Sequence, residues 1–71
     1  MSRLAQVEPL AAKIGTVART LDSSTATVRR RMKDDPEFPR PFRLVPNGEL
    51  FWWMADVRAY LKRKASQAIA A

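Results

Sequence analysis

Side chains that can recognise a nucleic acid are concentrated in one short stretch of this sequence. There, Thr25, Ala26 and Thr27 are followed closely by Arg29 and Arg30. An arginine can donate two parallel hydrogen bonds to O6 and N7 of guanine, and an alanine can contact a thymine methyl group. If the stretch is the start of a helix in a DNA groove, its side chains reach base edges. We therefore assign these five residues as candidates for reading bases.

Other polar and cationic side chains suit contacts with the DNA backbone. Phosphate contacts hold a protein in register on DNA without reading its sequence. At the tip of the hairpin described below, Asn47-Gly48-Glu49 carries no cation, so a minor-groove contact there would depend on Asn47 and Arg43. The candidates for phosphate contacts are Ser24, Lys33, Arg40, Arg43, Asn47, Lys62 and Arg63.

Composition narrows the classes of function. The 71 residues include 13 Lys and Arg against 7 Asp and Glu, a formal charge of +6 that favours polyanionic partners. The chain has no Cys and no His, so disulfides, thiol nucleophiles and the usual zinc ligands are all missing. We expect no catalytic residue, metal, cofactor or small-molecule substrate.

No apolar run approaches the roughly 20 residues that cross a bilayer, so we expect no membrane partner. The expected location is cytoplasmic and nucleoid-associated, in a bacterium or a phage-infected host.

Two groups of residues could suggest a catalytic or metal site, but both have simpler interpretations. Tyr60 resembles the nucleophile of a tyrosine recombinase, but that chemistry needs surrounding Arg and His groups, and the chain has no His. Asp34, Asp35 and Glu37 are interpreted not as metal ligands but as residues of a loop, broken by Pro36, that ends a helix and keeps the neighbouring surface from being uniformly basic. Neither group changes the expectation that this protein is not an enzyme.

The candidate residues need helices to position them. Leu10, Ile14, Val17 and Leu21 recur at helical spacing, and we expect a first helix from Pro9 that breaks at residues 22–23. Ser24 then caps a second helix that ends near residue 33, with Val28 and Met32 facing the core. The predicted domain covers residues 9–65, between a partly ordered stub at residues 1–8, where Leu4 and Val7 lie against the body, and a tail at residues 66–71.

A β-hairpin is predicted for residues 38–53, around Asn47-Gly48 or with Pro46 as the first corner of the turn. Pro39 and Pro41 limit the first strand to a short edge. A last helix begins near residue 54 with Val57, Tyr60 and Leu61 facing inward, and Lys62, Arg63 and Lys64 are placed in its last turn. Residues 66–71 either fray or lengthen this helix. The expected fold is mainly α with a small β-hairpin: a winged helix-turn-helix of helix, helix, two-stranded wing and helix.

The order of these signals over residues 17–61 resembles excisionase and AlpA-like DNA-binding proteins of the MerR-type winged-helix class. The resemblance is carried by VARTLDSSTATVRRRMK, by EFPRPFRL leading into the wing, by the NG turn and by WWMADVRAYL. The sequence departs from the pattern at Asp22 and Ser23, where Gly and an aliphatic residue are usual, and at Arg31, where an aliphatic residue is usual.

The resemblance implies sequence-specific binding to double-stranded DNA as an excisionase. Such a recombination directionality factor of a phage or integrated element bends DNA, assists an integrase in excision and often binds as several copies. The AlpA-like alternative is a transcriptional regulator of element genes. We place excision first because the chain has no effector module.

Two further classes of function remain open. One is a small protein-interaction module that docks through the hairpin, and the other is a binder of single-stranded nucleic acid that stacks bases on its tryptophans. Alternation along the second strand directs Trp52 and Leu50 to the core and Phe51 and Trp53 to the other face. Phe51 and Trp53 are then either a partner surface or, if the last helix covers them, part of the core.

Overall fold

The computed structural model describes residues 8–70, with side chains for residues 8–68. Over this part of the chain the fold is mainly helical, with three helices and a small three-stranded antiparallel sheet. In chain order the elements are β1 (Ala11–Ala12), α1 (Ile14–Thr20), α2 (Thr25–Asp34), β2 (Phe42–Arg43), β3 (Leu50–Trp53) and α3 (Met54–Ala70). The predicted extended stub with Leu4 and Val7 lies outside the described residues.

The first helix is shorter than the sequence predicts, because its expected first turn is a strand. Ala11 and Ala12 pair with Trp53 and Trp52, and β3 is therefore the central strand of a sheet ordered β1-β3-β2. Leu10 is 82% exposed, although it matches the helical period of the apolar residues. Its carbonyl accepts a hydrogen bond from the Met54 backbone N–H at 2.8 Å. The expectations of a helix from Pro9 and of a sheet with only two strands are wrong.

The predicted break at residues 22–23 lies within a four-residue connection that joins α1 to α2. The backbone N–H of Asp22 donates to the Arg19 carbonyl, and that of Ser23 donates to the Ala18 carbonyl. These two bonds form a Schellman motif, which places one residue in the left-handed region. Asp22 occupies that position with φ 54°, where glycine is usual. Ser24 caps α2, as predicted, by accepting a hydrogen bond from the Thr27 backbone N–H.

The turn between β2 and β3 is centred on Pro46 and Asn47. The Gly48 N–H donates to the Val45 carbonyl at 3.0 Å, and Asn47 has φ 64°. Proline followed by a residue with positive φ fits a type II turn. Pro46 is therefore the first corner, which was one of the two predicted alternatives. Cross-strand pairs join Phe42 to Phe51 and Arg43 to Leu50.

The core lies where α1, α2 and α3 pack around β3. Trp52, Val17, Val28 and Val57 are fully buried. Trp52 donates its indole N–H to the Pro39 carbonyl at 3.1 Å, which satisfies the polar atom of the largest core side chain. Alternation along β3 is confirmed, because Trp52 is buried while Trp53 is half exposed.

Other parts of the core differ from the sequence prediction. Phe38 is only 5% exposed although it lies outside the strands, and its ring packs edge-on to Tyr60 with centroids 5.0 Å apart. Met54, expected only to begin the last helix, is also buried. Leu61 is 38% exposed, so its predicted inward position is wrong.

The last helix continues beyond its predicted end. Because α3 extends to Ala70, Lys62, Arg63 and Lys64 lie within the helix rather than in its last turn. Residues 65–70 contain neither glycine nor proline, and alanine and glutamine favour a helix. Of the two alternatives for this end of the chain, the structure shows the lengthened helix. Among the described residues, no helix is both long and apolar enough to span a membrane.

Candidate nucleic-acid interface

Helix α2 presents a cationic face opposite the side that packs on the core. Val28 is fully buried and Met32 packs against the core from one turn later. At about 100° per residue, Ala26, Arg30 and Lys33 share the opposite face, and all three are exposed. This face combines a small apolar contact near the start of the helix with two cations further along it. Such a surface suits contact with a polyanion.

The three consecutive arginines of α2 face different surroundings. Arg29 lines a cleft of about 530 Å³ between α2, α1 and the start of β3. Arg31 lines a second cleft beside Tyr60 on α3. Arg30 points away from the core, between these two flanks. The sequence assigns Arg29 and Arg30 the same base-reading role, but the structure gives them different directions.

The salt bridges of the described residues are made by cations that lie outside α2. Lys13 pairs with Glu49 at 2.8 Å and Arg58 pairs with Glu8 at 2.6 Å. Lys64 lies 3.2 Å from Asp35 and contacts one further carboxylate. The salt bridges within residues 8–68 include none of the cations of α2, which are Arg29, Arg30, Arg31 and Lys33. None of these cations is therefore neutralised by a salt bridge, although Arg30 and Arg31 line a groove with Asp34 and Asp35.

Hydroxyl groups organise the first turns of α2. The Ser24 hydroxyl donates to Thr27 Oγ1 at 3.1 Å while it caps the helix, so its first role is structural. Thr27 Oγ1 also accepts a hydrogen bond from Arg30 Nη2 at 3.5 Å. Thr25 and Thr27 are half-buried, whereas Ala26 is exposed. The five base-reading candidates therefore differ in access: Ala26, Arg29 and Arg30 are exposed, and the two threonines are half-buried.

The remaining phosphate candidates lie in three places. Lys33 and Arg40 line one groove beside the end of α2. Arg43 donates its Nε–H to the Gly48 carbonyl at 2.9 Å, which braces the turn where Asn47 is exposed. Lys62 and Arg63 are exposed on α3. Arg63 donates to the Glu37 carbonyl at 3.3 Å and so connects α3 to the loop after α2.

A cluster of Asp35, Tyr60 and Lys64 fixes the end of α2 against α3. The Tyr60 hydroxyl donates to Asp35 Oδ2 at 2.7 Å. This bond, the Glu37 backbone N–H and the nearby ammonium group lower the pKa of Asp35. Burial, followed by the hydrogen bond to Asp35, raises the pKa of Tyr60. The pKa of Lys64 is also raised, chiefly by its contact with Asp35. Tyr60 thus has a structural partner, which agrees with its interpretation as a packing residue.

Sequence reasoning missed Arg19. This residue of α1 lines the same cleft as Arg29 of α2. Arg19 Nη2 donates to Thr16 Oγ1 at 3.1 Å, which orients the guanidinium group along the helix. The spacing of the sequence places Arg19 off the apolar face of α1 but does not show which element lies opposite it.

An aromatic cluster covers the outer face of the sheet. The rings of Phe42 and Trp53 stack with centroids 5.1 Å apart, and Phe51 lies 6.2 Å from Phe42. Trp53 is 50% exposed, so α3 leaves it accessible. Of the two alternatives for Phe51 and Trp53, the structure supports a partly exposed apolar surface. Its role as a partner surface stays a prediction.

Comparisons with models of known protein families, with curated proteins and with solved structures found no match for this chain.

Proposed function

We propose that this chain binds double-stranded DNA by placing α2 in the major groove, with β2, β3 and their turn as a wing beside it. The observation that carries this proposal is the exposed face of Ala26, Arg30 and Lys33, whose cations form no salt bridge within residues 8–68. The major groove is about 12 Å wide and admits an α-helix. A ten-residue helix is about 15 Å long, enough to follow the edges of several base pairs.

The connection between α1 and α2 supports this placement. A tight turn joins the two helices, and a helix-turn-helix uses its second helix for recognition. The tip of the hairpin at Asn47 is exposed, and the Arg43 side chain braces it. Recognition of bases is assigned first to Arg30, because it points away from the protein body. Lys33 and Arg40 flank the end of α2 as a pair of phosphate contacts.

The more specific role that we propose is excisionase, in which the DNA-bound chain contacts an integrase and further copies of itself. The resemblance of residues 17–61 to excisionases and the accessible aromatic cluster support this role, because a DNA-bending factor needs both a DNA surface and a protein surface. A transcriptional regulator of the AlpA-like type would use the same DNA contacts. Excision measured in a host that carries the element, with and without this chain, separates the two roles from each other.

A direct test selects a preferred duplex from a random library and measures its affinity for the wild-type chain and for Arg30→Gln. Loss of a bidentate contact with guanine should cost about 1–3 kcal/mol on the preferred duplex and relax the preference at one base pair. Arg58→Gln is the matched control, because Arg58 is also exposed but is paired with Glu8 on another surface. Circular dichroism checks that both variants keep the fold. Equal affinities and equal preferences for the two variants would remove Arg30 from recognition.

The second candidate function is docking of a protein or a single strand on the aromatic cluster. The half-exposed indole of Trp53 favours this candidate, since an apolar patch on a small domain commonly marks a contact surface. If single-stranded DNA competes better than duplex, and Trp53→Ala removes that binding, base stacking replaces groove recognition as the function. If neither nucleic acid binds, the cluster becomes the first candidate for a protein-docking site.

A further inference from the structure

We infer that Arg19 and Arg29 together hold one backbone phosphate of a DNA strand, in the cleft between α1 and α2. This inference rests on the proposed binding of duplex DNA and changes the predicted role of Arg29 from reading bases to holding the backbone. It also adds Arg19, a residue of α1, to the interface.

The charges around the cleft favour an anion. Arg19 of α1 and Arg29 of α2 both line the cleft. The carboxylate at the rim is Glu49, which is paired with Lys13 at 2.8 Å. The two guanidinium groups take part in none of the salt bridges within residues 8–68. Guanidinium groups match the geometry of phosphate oxygens because they donate several N–H groups in one plane.

The shape of the cleft favours the backbone of a strand over a free ion. Its volume of about 530 Å³ exceeds what one phosphate needs, and its lining includes the apolar side chains of Ile14, Met32 and Leu50. A deoxyribose ring presents C–H groups that can pack against such side chains, while its phosphate lies between the arginines. A phosphate with its adjoining sugar therefore uses both the charged walls and the apolar surface.

The position of the cleft agrees with the proposed docking. When the second helix of such a pair enters the major groove, the first helix crosses the backbone that borders the groove. The cleft lies between these two helices, so a strand at the edge of the groove would follow it. The hydrogen bond from Arg19 to Thr16 at 3.1 Å orients the arginine and leaves its other N–H groups for the strand.

The experiment measures the affinity of Arg19→Gln, Arg29→Gln and the control Arg58→Gln for several unrelated duplexes over a range of salt concentrations. The two arginines share one phosphate, so the loss of both lowers the slope of log K against log salt by about 0.9, and the loss of one lowers it by part of that amount. The loss of affinity relative to wild type should therefore shrink, by up to about 3.5-fold, when salt rises from about 50 to about 200 mM. The loss should be alike on every duplex, since a phosphate contact does not read sequence.

Arg19→Lys supplies a second test, since it keeps the charge and removes the planar donor group. We expect it to retain most of the salt slope and to lose part of the affinity. If the wild-type chain binds duplex and Arg19→Gln keeps its affinity and slope, the cleft does not hold a phosphate, although the proposed function stands. If Arg29→Gln changes the preferred sequence, Arg29 reads bases and the inference is wrong. If the wild-type chain binds no duplex, the proposed function and this inference both fall.

Discussion

Two adjacent tryptophans make the orientation of the sheet testable. Trp52 is fully buried and donates its indole N–H to the Pro39 carbonyl at 3.1 Å, whereas Trp53 is half exposed. Trp52→Phe leaves that carbonyl without its donor, at a cost of about 1–3 kcal/mol. The smaller ring also leaves a cavity that adds about 1 kcal/mol. We expect a loss of about 2–4 kcal/mol in the free energy of unfolding.

The same substitution one residue later is the control. Trp53→Phe keeps an aromatic ring against Phe42 and buries no polar group, so we expect a loss below about 1 kcal/mol. Urea denaturation followed by circular dichroism at neutral pH compares the two variants with wild type. A one-residue slip of β3 would exchange the faces of the two tryptophans. A larger loss for Trp53→Phe than for Trp52→Phe would therefore refute this orientation of β3.

Two other predictions concern the C-terminal end of α2 and the turn that ends α1. Tyr60→Phe removes the main donor that lowers the pKa of Asp35, so wild type should exceed the variant in stability at pH 7. This advantage is complete above the pKa of Asp35 in the unfolded chain, about 3.9, and is lost as pH falls through its lower pKa in the folded chain. The prediction would be contradicted if wild type and variant differed equally in melting temperature at pH 7 and at strongly acidic pH. Asp22→Gly should stabilise the chain by up to about 1 kcal/mol, because it relieves a left-handed residue at φ 54°. A lower midpoint in chemical denaturation for this variant would show that Asp22 fits the turn better than glycine.

The sequence predicted those parts of the fold that local chemistry determines. Ser24 is followed by a helix because its hydroxyl caps that helix, and Asp34-Asp35-Pro36 ends it. The prediction of a helical turn at the start of the first helix was wrong. Leu10 has the spacing of the apolar residues of that helix but does not pack with them. Ala11 and Ala12 form a strand because they pair with an edge of β3, about 40 residues further along the chain. Local periodicity carries no information about pairing between such distant segments.

The candidate interface could be predicted in part for the same reason. Helical spacing correctly separated Val28 from Arg30, since both lie on one helix. It did not reveal that Arg29 and Arg19 line the same cleft, because the direction in which α1 packs is a tertiary property. The burial of Phe38 could not be predicted from the alternation of residues along the strands either. This residue lies outside the strands, and its ring packs against Tyr60.

The most direct measurement of the central claim is a titration of isotope-labelled protein with duplex DNA, followed through backbone amide signals by nuclear magnetic resonance. If α2 lies in the major groove, the largest shifts fall on α2, from Thr25 to Lys33, and on the part of α1 that carries Arg19. The amides of α3 beyond Lys64 should change little. Shifts centred on Phe42, Phe51 and Trp53, or the absence of shifts at saturating DNA, would contradict recognition of duplex DNA through α2.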